Sequence, residues 1–286
     1  MEFRVQVMSD LHLEDLETPL PAGGEPLVII RRAPVLALLG DIGYAGSDVL
    51  RSFLEARSQQ FDRVLLVPGN HEYWRTTRET GAQWLLDLAR TLGNVELLDR
   101  GSTVVAGYRV VGATLWTRIP TDPVNQAIAA GSMRDFEHIG ELSATLAQPD
   151  GVVNALAVHR GWHEQDVVYL MGDEGDGGCI AEAAARGERL VVLTHHAPSK
   201  TGTSDTPAAL LWSEGNNFEG FLTRLDSWAH IKAWCFGHTH YNVDRQYVDP
   251  SSGDARARLV SNQAGHAGQP AAGFNPDFVL VLPALE

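Results

Sequence analysis

Polar clusters that follow apolar runs are the parts of this sequence whose residues could carry out chemistry. In one of them, "GHTH", His238 and His240 stand two positions apart behind Gly237, directly after the apolar run "AWCF". This spacing places both imidazoles on the same side of an extended segment. Paired imidazoles of this kind bind metal ions, although an edge strand with a polar face would show the same pattern. Asn242 continues the period and is interpreted as a strand residue or a rim contact.

Four further clusters have a similar composition. They are "SDLH", "GDIG", "GNHE" and "THHAP", which contain Asp10, His12, Asp41, Asn70, His71, His195 and His196. Each cluster taken alone fits an ordinary turn, a helix cap or a buried histidine. Because five clusters follow five predicted strands, a shared metal site is the favoured interpretation. Oxygen and imidazole ligands without thiolates suit manganese, iron or zinc.

The elements that must position these clusters are predicted strands and helices, which alternate along the chain. Short apolar runs typical of strands occupy 3–10, 33–41, 62–70, 95–98, 103–106, 108–114, 189–196 and 231–236, and several more strands lie within 243–282. Helical periodicity covers 47–61, 76–92, 122–130, 138–147, 153–171 and 217–229. Ligands of open α/β sheets bind beyond the carboxyl ends of the strands, so we expect the clusters to converge there. The order of elements indicates an α/β fold with an antiparallel contribution from the tail.

Length and composition favour one domain over residues 1–286, since the 286 residues contain no linker, repeat or low-complexity block. The glycine-rich region around 118–186 is interpreted as an insertion that lines or covers a pocket. Segments 116–136 and 197–218 adjoin ligand-bearing segments, so the charged residues Arg118, Arg134 and Lys200 are candidates to meet an anionic group of a substrate.

Charge and hydropathy exclude several classes of partner. With 22 basic and 36 acidic residues the net charge is −14, which repels polyanions, so no nucleic-acid polymer or membrane partner is expected. Neither a signal peptide nor a membrane-spanning run is predicted, and Cys179 and Cys235 offer no disulfide framework or zinc motif. We therefore expect a cytoplasmic protein, whose oligomeric state is left open.

In their order and spacing the clusters resemble the signature of the calcineurin-like metallophosphoesterases. The resemblance runs from residue 10 to residue 240 and rests on Asp10-Leu-His12, Gly40-Asp41, Gly69-Asn70-His71-Glu72, His195 and Gly237-His238-Thr-His240. It implies a four-layer α/β/β/α sandwich with two packed mixed β-sheets. It also implies a binuclear centre of two divalent or mixed-valence ions (Mn, Fe or Zn). The tail is similar to that of an uncharacterised bacterial and fungal subgroup.

The same resemblance implies a role for each motif residue. Asp41 would bridge the two ions. The other ligands would be Asp10, His12 and His240 for the first ion, and Asn70, His195 and His238 for the second. His71 would face the substrate and protonate the leaving-group oxygen; the alternative is that it orients a ligand. A hydroxide bridging the metals would attack phosphorus.

The substrate class follows less directly. Protein phosphatases of this family continue the second motif as Gly-Asp-x-x-Asp-Arg-Gly, and "GDIGYAGS" lacks the Asp-Arg pair. We expect a phosphoric ester hydrolase acting on small-molecule phosphodiesters, with Arg118, Arg134 and His196 as substrate contacts. The alternatives are a phosphomonoesterase on the same site, or a non-catalytic scaffold with this fold.

Three other features carry weaker signals. His159 and His163 stand four apart, and without an accompanying carboxylate we interpret them as one face of a helix. The segment "GDEGDGG" at 172–178 is interpreted as a flexible acidic loop, because it lacks the spacing of a calcium loop. Trp116 and Trp212 could stack on a base, although tryptophans near strand ends are more often part of the core.

Overall fold

Thirteen strands and seven α-helices form the parts of the chain that the computed structural model describes, which are residues 1–16, 27–173, 177–199, 202–205, 229–248 and 255–285. The strands are β1 (Phe3–Met8), β2 (Val35–Leu39), β3 (Arg63–Val67), β4 (Val95–Leu97), β5 (Gly101–Val105), β6 (Tyr108–Ala113), β7 (Leu190–Thr194), β8 (Ile231–Phe236), β9 (Asp244–Val248), β10 (Ala255–Ser261), β11 (Gly265–His266), β12 (Gln269–Pro270) and β13 (Val279–Leu282).

The helices are α1 (Asp48–Gln60), α2 (Arg78–Leu92), α3 (Pro123–Ser132), α4 (Asp135–His138), α5 (Gly140–Leu146), α6 (Gly151–Met171) and α7 (Gly178–Ala185). Short 3-10 helices also follow β1 and β3, at Leu13–Asp15 and His71–Tyr73. Lys200, Trp212 and most of the helix predicted at 217–229 lie outside the described residues, as do parts of segments 172–178 and 197–218.

Two mixed sheets contain all but the short β11–β12 pair. The first sheet has the order β13-β1-β2-β3-β4 and the second β5-β6-β7-β8-β10-β9. Within each sheet the central strands are parallel, and antiparallel strands lie at the edges: β13 in the first sheet, β5 and β9 in the second. The parallel strands β1, β2, β3, β7 and β8 are the ones that lead into the polar clusters.

Alternating side chains place the main core between the two sheets. In β2, Ala37 and Leu39 face the other sheet, where they share a buried apolar cluster with Val191 and Leu193 of β7. The intervening residues of β2 pack instead against α1 and α2, and those of β7 pack against α6 and α7. This period-two division of fully buried strands produces four layers. The predicted α/β/β/α sandwich is confirmed.

A helical region between β6 and β7 forms a separate apolar cluster. Residues of α3 to α6 pack around Trp116 and around Trp74, which follows β3. Trp116 is fully buried there, so it is a core residue and does not offer a face for a base to stack on. Buried Asp166 of α6 ties this region to the second sheet by accepting the backbone N–H of Leu115 at 2.8 Å and a hydrogen bond from Arg100 at 2.9 Å.

Two helices, α4 and α7, were not predicted from the sequence. α7 begins at Gly178, the last residue of the segment interpreted as an acidic loop, and packs Ile180 and Ala183 against the second sheet. Its glycine-rich beginning gives no capping signal, which explains why helical periodicity was not recognised there. Among the described residues no helix has the length and apolarity required to cross a membrane.

His159 of α6 is buried without a hydrogen-bond partner for either ring nitrogen. It lies against Trp116 and Phe136, with ring centroids 5.4 Å and 5.8 Å away. Burial lowers the pKa of His159 to about 3. Below pH 6.5, the ordinary histidine pKa, this imidazole binds a proton in the unfolded chain but stays neutral in the folded chain down to about pH 3. The stability of the folded protein therefore falls as the pH is lowered from 6.5 toward 3.

Replacing His159 with leucine should remove this acid sensitivity. The free energy of unfolding of His159→Leu should match or exceed that of the unchanged protein at pH 7, because an unpartnered polar ring is removed. The variant's advantage should grow by about 2 kcal/mol between pH 7 and pH 5. Urea unfolding of both proteins at both pH values measures this difference in the free energy of unfolding. The contributions of the other titrating groups are the same in both proteins and cancel. An advantage that does not change with pH would contradict the assignment.

Candidate metal centre

The polar clusters meet where the carboxyl ends of the parallel strands of both sheets come together. Backbone hydrogen bonds join the loops: Asp10 N donates to Gly40 O at 3.0 Å, and Gly237 N donates to His195 O at 2.8 Å. The Asp10 carboxylate crosses between the sheets, because it accepts the backbone N–H of His238 at 3.0 Å. All seven predicted ligands are thereby brought to one place.

The loops that carry the ligands have unusual backbone geometry. Asp10, His12, Asp41, His238 and His240 have positive φ angles of 53°, 44°, 53°, 70° and 49°. Side chains other than glycine rarely adopt this left-handed region, which costs roughly 1–2 kcal/mol per residue. Such strain is typical of functional sites, where the surrounding structure imposes it. Here it turns consecutive polar side chains toward the junction of the sheets.

Glycines provide the space that this crowding requires. A Cβ on Gly237 would lie 2.6 Å from a carboxylate oxygen of Asp10. A Cβ on Gly69 would collide with the carboxylate of Asp41 and lie 2.8 Å from the His195 ring. The glycines of "GNHE" and "GHTH" are therefore needed for close approach of ligand side chains to the backbone.

When its ring carries a single proton, His195 presents an electron pair to two oxygen atoms. Its Nδ1 donates to the carbonyl of Leu39 at 2.8 Å, which leaves Nε2 as the free nitrogen. Nε2 lies 3.0 Å from Asn70 Oδ1 and 3.4 Å from Asp41 Oδ1. The Asn70 amide group is oriented by Asp135, which accepts from Nδ2 at 2.8 Å, so oxygen is the atom that faces His195. A cation fits among these atoms.

A second group of ligands lies beside the first. His12 Nε2 and His240 Nε2 are 3.1 Å apart, and His240 Nε2 is 3.4 Å from Asp10 Oδ1. His12 Nδ1 is committed to Glu14 Oε1 at 3.0 Å, which leaves Nε2 as the nitrogen that could bind a metal ion. Ligand atoms of Asp41 lie within 4.8 Å of those of His195 and His238 on one side, and of His12 on the other.

The electrostatics of this region favour positive charge. Burial alone would lower the pKa of His195, but the Asp41 carboxylate opposes it and raises the pKa to about 10. Burial is likewise outweighed at His12, whose pKa the carboxylates of Glu14 and Asp41 raise to about 9. The nitrogen and oxygen ligands fit a divalent metal ion, which carries the compensating charge without a proton.

His71 lies at the edge of this cluster. Its Nδ1 is 2.7 Å from Glu14 Oε1, and its Nε2 is 3.9 Å from Asp41 Oδ2. Trp74 stacks on the ring with centroids 3.6 Å apart and fixes its plane. Since Nδ1 is committed to Glu14, Nε2 is the nitrogen available for chemistry.

Three carboxylates to which the sequence analysis assigned no role hold the predicted site residues in place by hydrogen bonds. Glu14 holds both His12 and His71. Glu72 is fully buried and accepts backbone N–H groups from Asp41 at 2.9 Å and Gly69 at 2.6 Å, which joins the loops after β2 and β3. Asp135 reaches in from α4. Glu72 stands inside the "GNHE" motif and Glu14 lies two residues after "SDLH", but Asp135 has no local signal, because only the tertiary fold brings it to Asn70.

The tail fastens the "GHTH" loop from behind. Gln263 accepts the backbone N–H of His240 at 2.6 Å, and Asn242 accepts the backbone N–H of Gln263 at 2.6 Å. Asn242 therefore connects the loop to the tail by hydrogen bonds and is not part of a strand. The tail also delivers His266, an unpredicted candidate ligand whose ring stacks on His12 with centroids 3.9 Å apart.

The three predicted substrate contacts lie in different environments. His196 is 1% exposed and packs beneath His238 with ring centroids 4.1 Å apart, so it supports that ligand and has no surface for a substrate. Arg118 is exposed in the loop after Trp116, and its role stays a prediction. Arg134 is exposed and lies over Trp74, next to His71.

Comparison with known proteins identifies the family over a range that includes the residues of this site. A sequence model of the calcineurin-like phosphoesterase family matches residues 3–242. Uncharacterized protein L509 of Acanthamoeba polyphaga mimivirus is 25% identical over 252 residues, covering 83% of this chain and 84% of the viral protein. Among solved structures, phosphopantetheinyl hydrolase from Mycobacterium tuberculosis has a TM-score of 0.58 and 15% identity, covering 93% of this chain and 90% of that one. At this identity the likeness concerns the fold.

Removing Asp135 should weaken metal binding without changing a ligand. In Asp135→Ala the Asn70 amide loses the acceptor that directs its oxygen inward, so we expect manganese affinity to fall about 10- to 100-fold. Competition with a chromogenic chelator measures it. Glu137→Ala, which removes an exposed carboxylate of the same helix, should leave the affinity unchanged. Equal affinities of the two variants would show that Asp135 does not orient Asn70.

Proposed function

The chain belongs to the calcineurin-like phosphoesterase family, and we propose that it hydrolyses small-molecule phosphodiesters at a binuclear metal centre. The family is one of metal-dependent phosphoester hydrolases. A small substrate agrees with the net charge of −14, which disfavours polyanionic polymers. No specific observation favours the scaffold alternative, because every ligand position of the family signature holds a metal-binding side chain.

The position of Asp41 is the observation that carries this proposal. Its carboxylate is 2% exposed and lies between two sets of ligand atoms, one with His195 and His238 and one with His12. A carboxylate has two oxygens and can serve two ions, which a neutral imidazole cannot. In the proposed centre Asp10, His12, Asp41 and His240 hold one ion, and Asp41, Asn70, His195 and His238 hold the other.

Metal ions bound there would act as Lewis acids toward the phosphoryl oxygens. They would also lower the pKa of a water molecule, so that it could lose a proton near neutral pH and attack phosphorus. The remaining steps fall to the chain itself. His71 directs Nε2 toward the centre while Glu14 holds Nδ1, an arrangement suited to giving a proton to the departing oxygen. Trp74 covers one face of the imidazole and keeps it in that orientation.

Loss of the bridging carboxylate should abolish both metal binding and turnover. In Asp41→Ala we expect less than one equivalent of manganese to be retained after dialysis and no measurable hydrolysis of bis(p-nitrophenyl) phosphate. Asp87→Ala, an exposed aspartate of α2, is the matched control and should behave like the unchanged protein. Full turnover by Asp41→Ala would overturn the assignment of Asp41 as the bridge.

Loss of the His71 imidazole should separate catalysis from metal binding. We expect His71→Gln to lower kcat for bis(p-nitrophenyl) phosphate by about 10²- to 10⁴-fold, the usual contribution of a general acid. Metal content, measured by elemental analysis, should stay the same. Because His71 lies within ligand distance of Asp41 and His12, a variant that loses its metal would identify His71 as a ligand instead.

A further inference from the structure

Two arginines that pair with no carboxylate among the described residues stand beside His71. Arg75 and Arg134 are both exposed, and neither forms an ion pair with any described residue. Many other described arginines do pair with a carboxylate, including Arg4, Arg31, Arg32, Arg63, Arg78, Arg90, Arg100, Arg109, Arg186 and Arg258. In a protein with 36 acidic and 22 basic residues, two uncompensated cations next to a reaction centre are unexpected.

Each guanidinium is held on the face of an aromatic ring that neighbours His71. Arg134 Cζ lies 5.0 Å from the centroid of Trp74, whose ring stacks on His71. Arg75 Cζ lies 4.6 Å from the centroid of Tyr44, whose ring is 6.4 Å from that of His71. Both guanidiniums are close enough to the Tyr44 hydroxyl to oppose the rise of its pKa that burial causes.

The backbone around this platform is fixed rather than loose. Arg75 has a positive φ of 66°, and its N–H donates to the carbonyl of His138 at 2.8 Å. Gly140 N donates to Thr76 O at 2.8 Å, and Asp135 accepts the Trp74 indole N–H at 2.8 Å. These bonds join α4 and the start of α5 to the loop after β3, so the backbone that carries both arginines is held in place before a ligand arrives.

The arrangement suits an anion better than a nucleobase. Trp74 is covered by His71 on one side, and the Arg134 guanidinium and the His138 ring also lie against it, with the His138 centroid at 4.4 Å. Little aromatic surface is left for stacking. A guanidinium whose carbon lies over a ring keeps N–H donors available at its edge, and these match the geometry of phosphate oxygens. Arg134 gives one of its five N–H groups to His138 Nε2 at 3.2 Å and retains the others for an anion.

We propose that Arg75 and Arg134 form a subsite for a second phosphate group, carried by the leaving group of the substrate. The inference rests on the proposed function, since His71 marks the side on which the alcohol departs. It narrows the substrate class to phosphodiesters whose departing alcohol bears its own phosphate. A substrate with a neutral leaving group would use the metal centre alone.

Non-hydrolysable phosphonates test the subsite by binding rather than by turnover. Calorimetric titration of the manganese-loaded protein compares propylphosphonate with a series of alkane bisphosphonates of increasing chain length. One phosphonate occupies the metal centre, and the second reaches the arginines when the chain is long enough. We expect the best bisphosphonate to bind at least about tenfold more tightly than propylphosphonate, the usual effect of charge-assisted hydrogen bonds.

Arg75→Gln and Arg134→Gln should each lose most of that gain while binding propylphosphonate as before. Arg51→Gln is the matched control, because Arg51 also lies over a tryptophan, Trp84, but on α1, in the helix layer outside the first sheet. A series without any gain, or a gain that survives in both variants, would overturn the subsite alone. Absence of both propylphosphonate binding and bis(p-nitrophenyl) phosphate hydrolysis in the unchanged protein would instead refute the proposed function, and the subsite with it.

Discussion

Nitrogen and oxygen atoms with unshared electron pairs lie close together at the junction of the two sheets, and the surrounding structure holds them there. His195 Nε2 and Asn70 Oδ1 lie 3.0 Å apart because the other polar atom of each side chain is committed elsewhere, to Leu39 and to Asp135. Electron pairs at this distance repel unless positive charge lies among them. The affinity for cations that we propose for the site would therefore come from hydrogen bonds made outside it.

Holding such a centre together takes more than the strands that lead to it. Glu72 ties the loops after β2 and β3, and Gln263 ties the "GHTH" loop to the tail. The left-handed backbone of Asp10, Asp41 and His238 costs free energy that these bonds offset. The burial of both sheets in a common core supplies the rigidity on which the loops depend.

The sequence was informative wherever local pattern determines position. Buried parallel strands have continuous apolar runs, and the carboxyl ends of such strands share an edge, so the α/β class and the convergence of the five clusters followed from short segments. The four-layer arrangement was implied by the family resemblance of those clusters. Contacts between distant segments have no such signature. Asp135 approaches Asn70 only through the packing of α4, and Arg75 acquires its partner Tyr44 only in the folded chain. Glycine-rich composition also concealed α7, whose stability comes from packing rather than capping.

The helical region between β6 and β7 is bonded directly to the predicted metal centre. A single carboxylate, that of Asp135, bonds to Asn70 in the centre and to Trp74 in the wall, and Arg134 precedes it in the chain. A displacement of α4 would therefore change the orientation of a proposed metal ligand and the position of a proposed substrate contact at the same time. In the proposed centre we therefore expect substrate selection and metal geometry to be coupled, because Asp135 bonds both to Asn70 and to the tryptophan on which the Arg134 guanidinium lies.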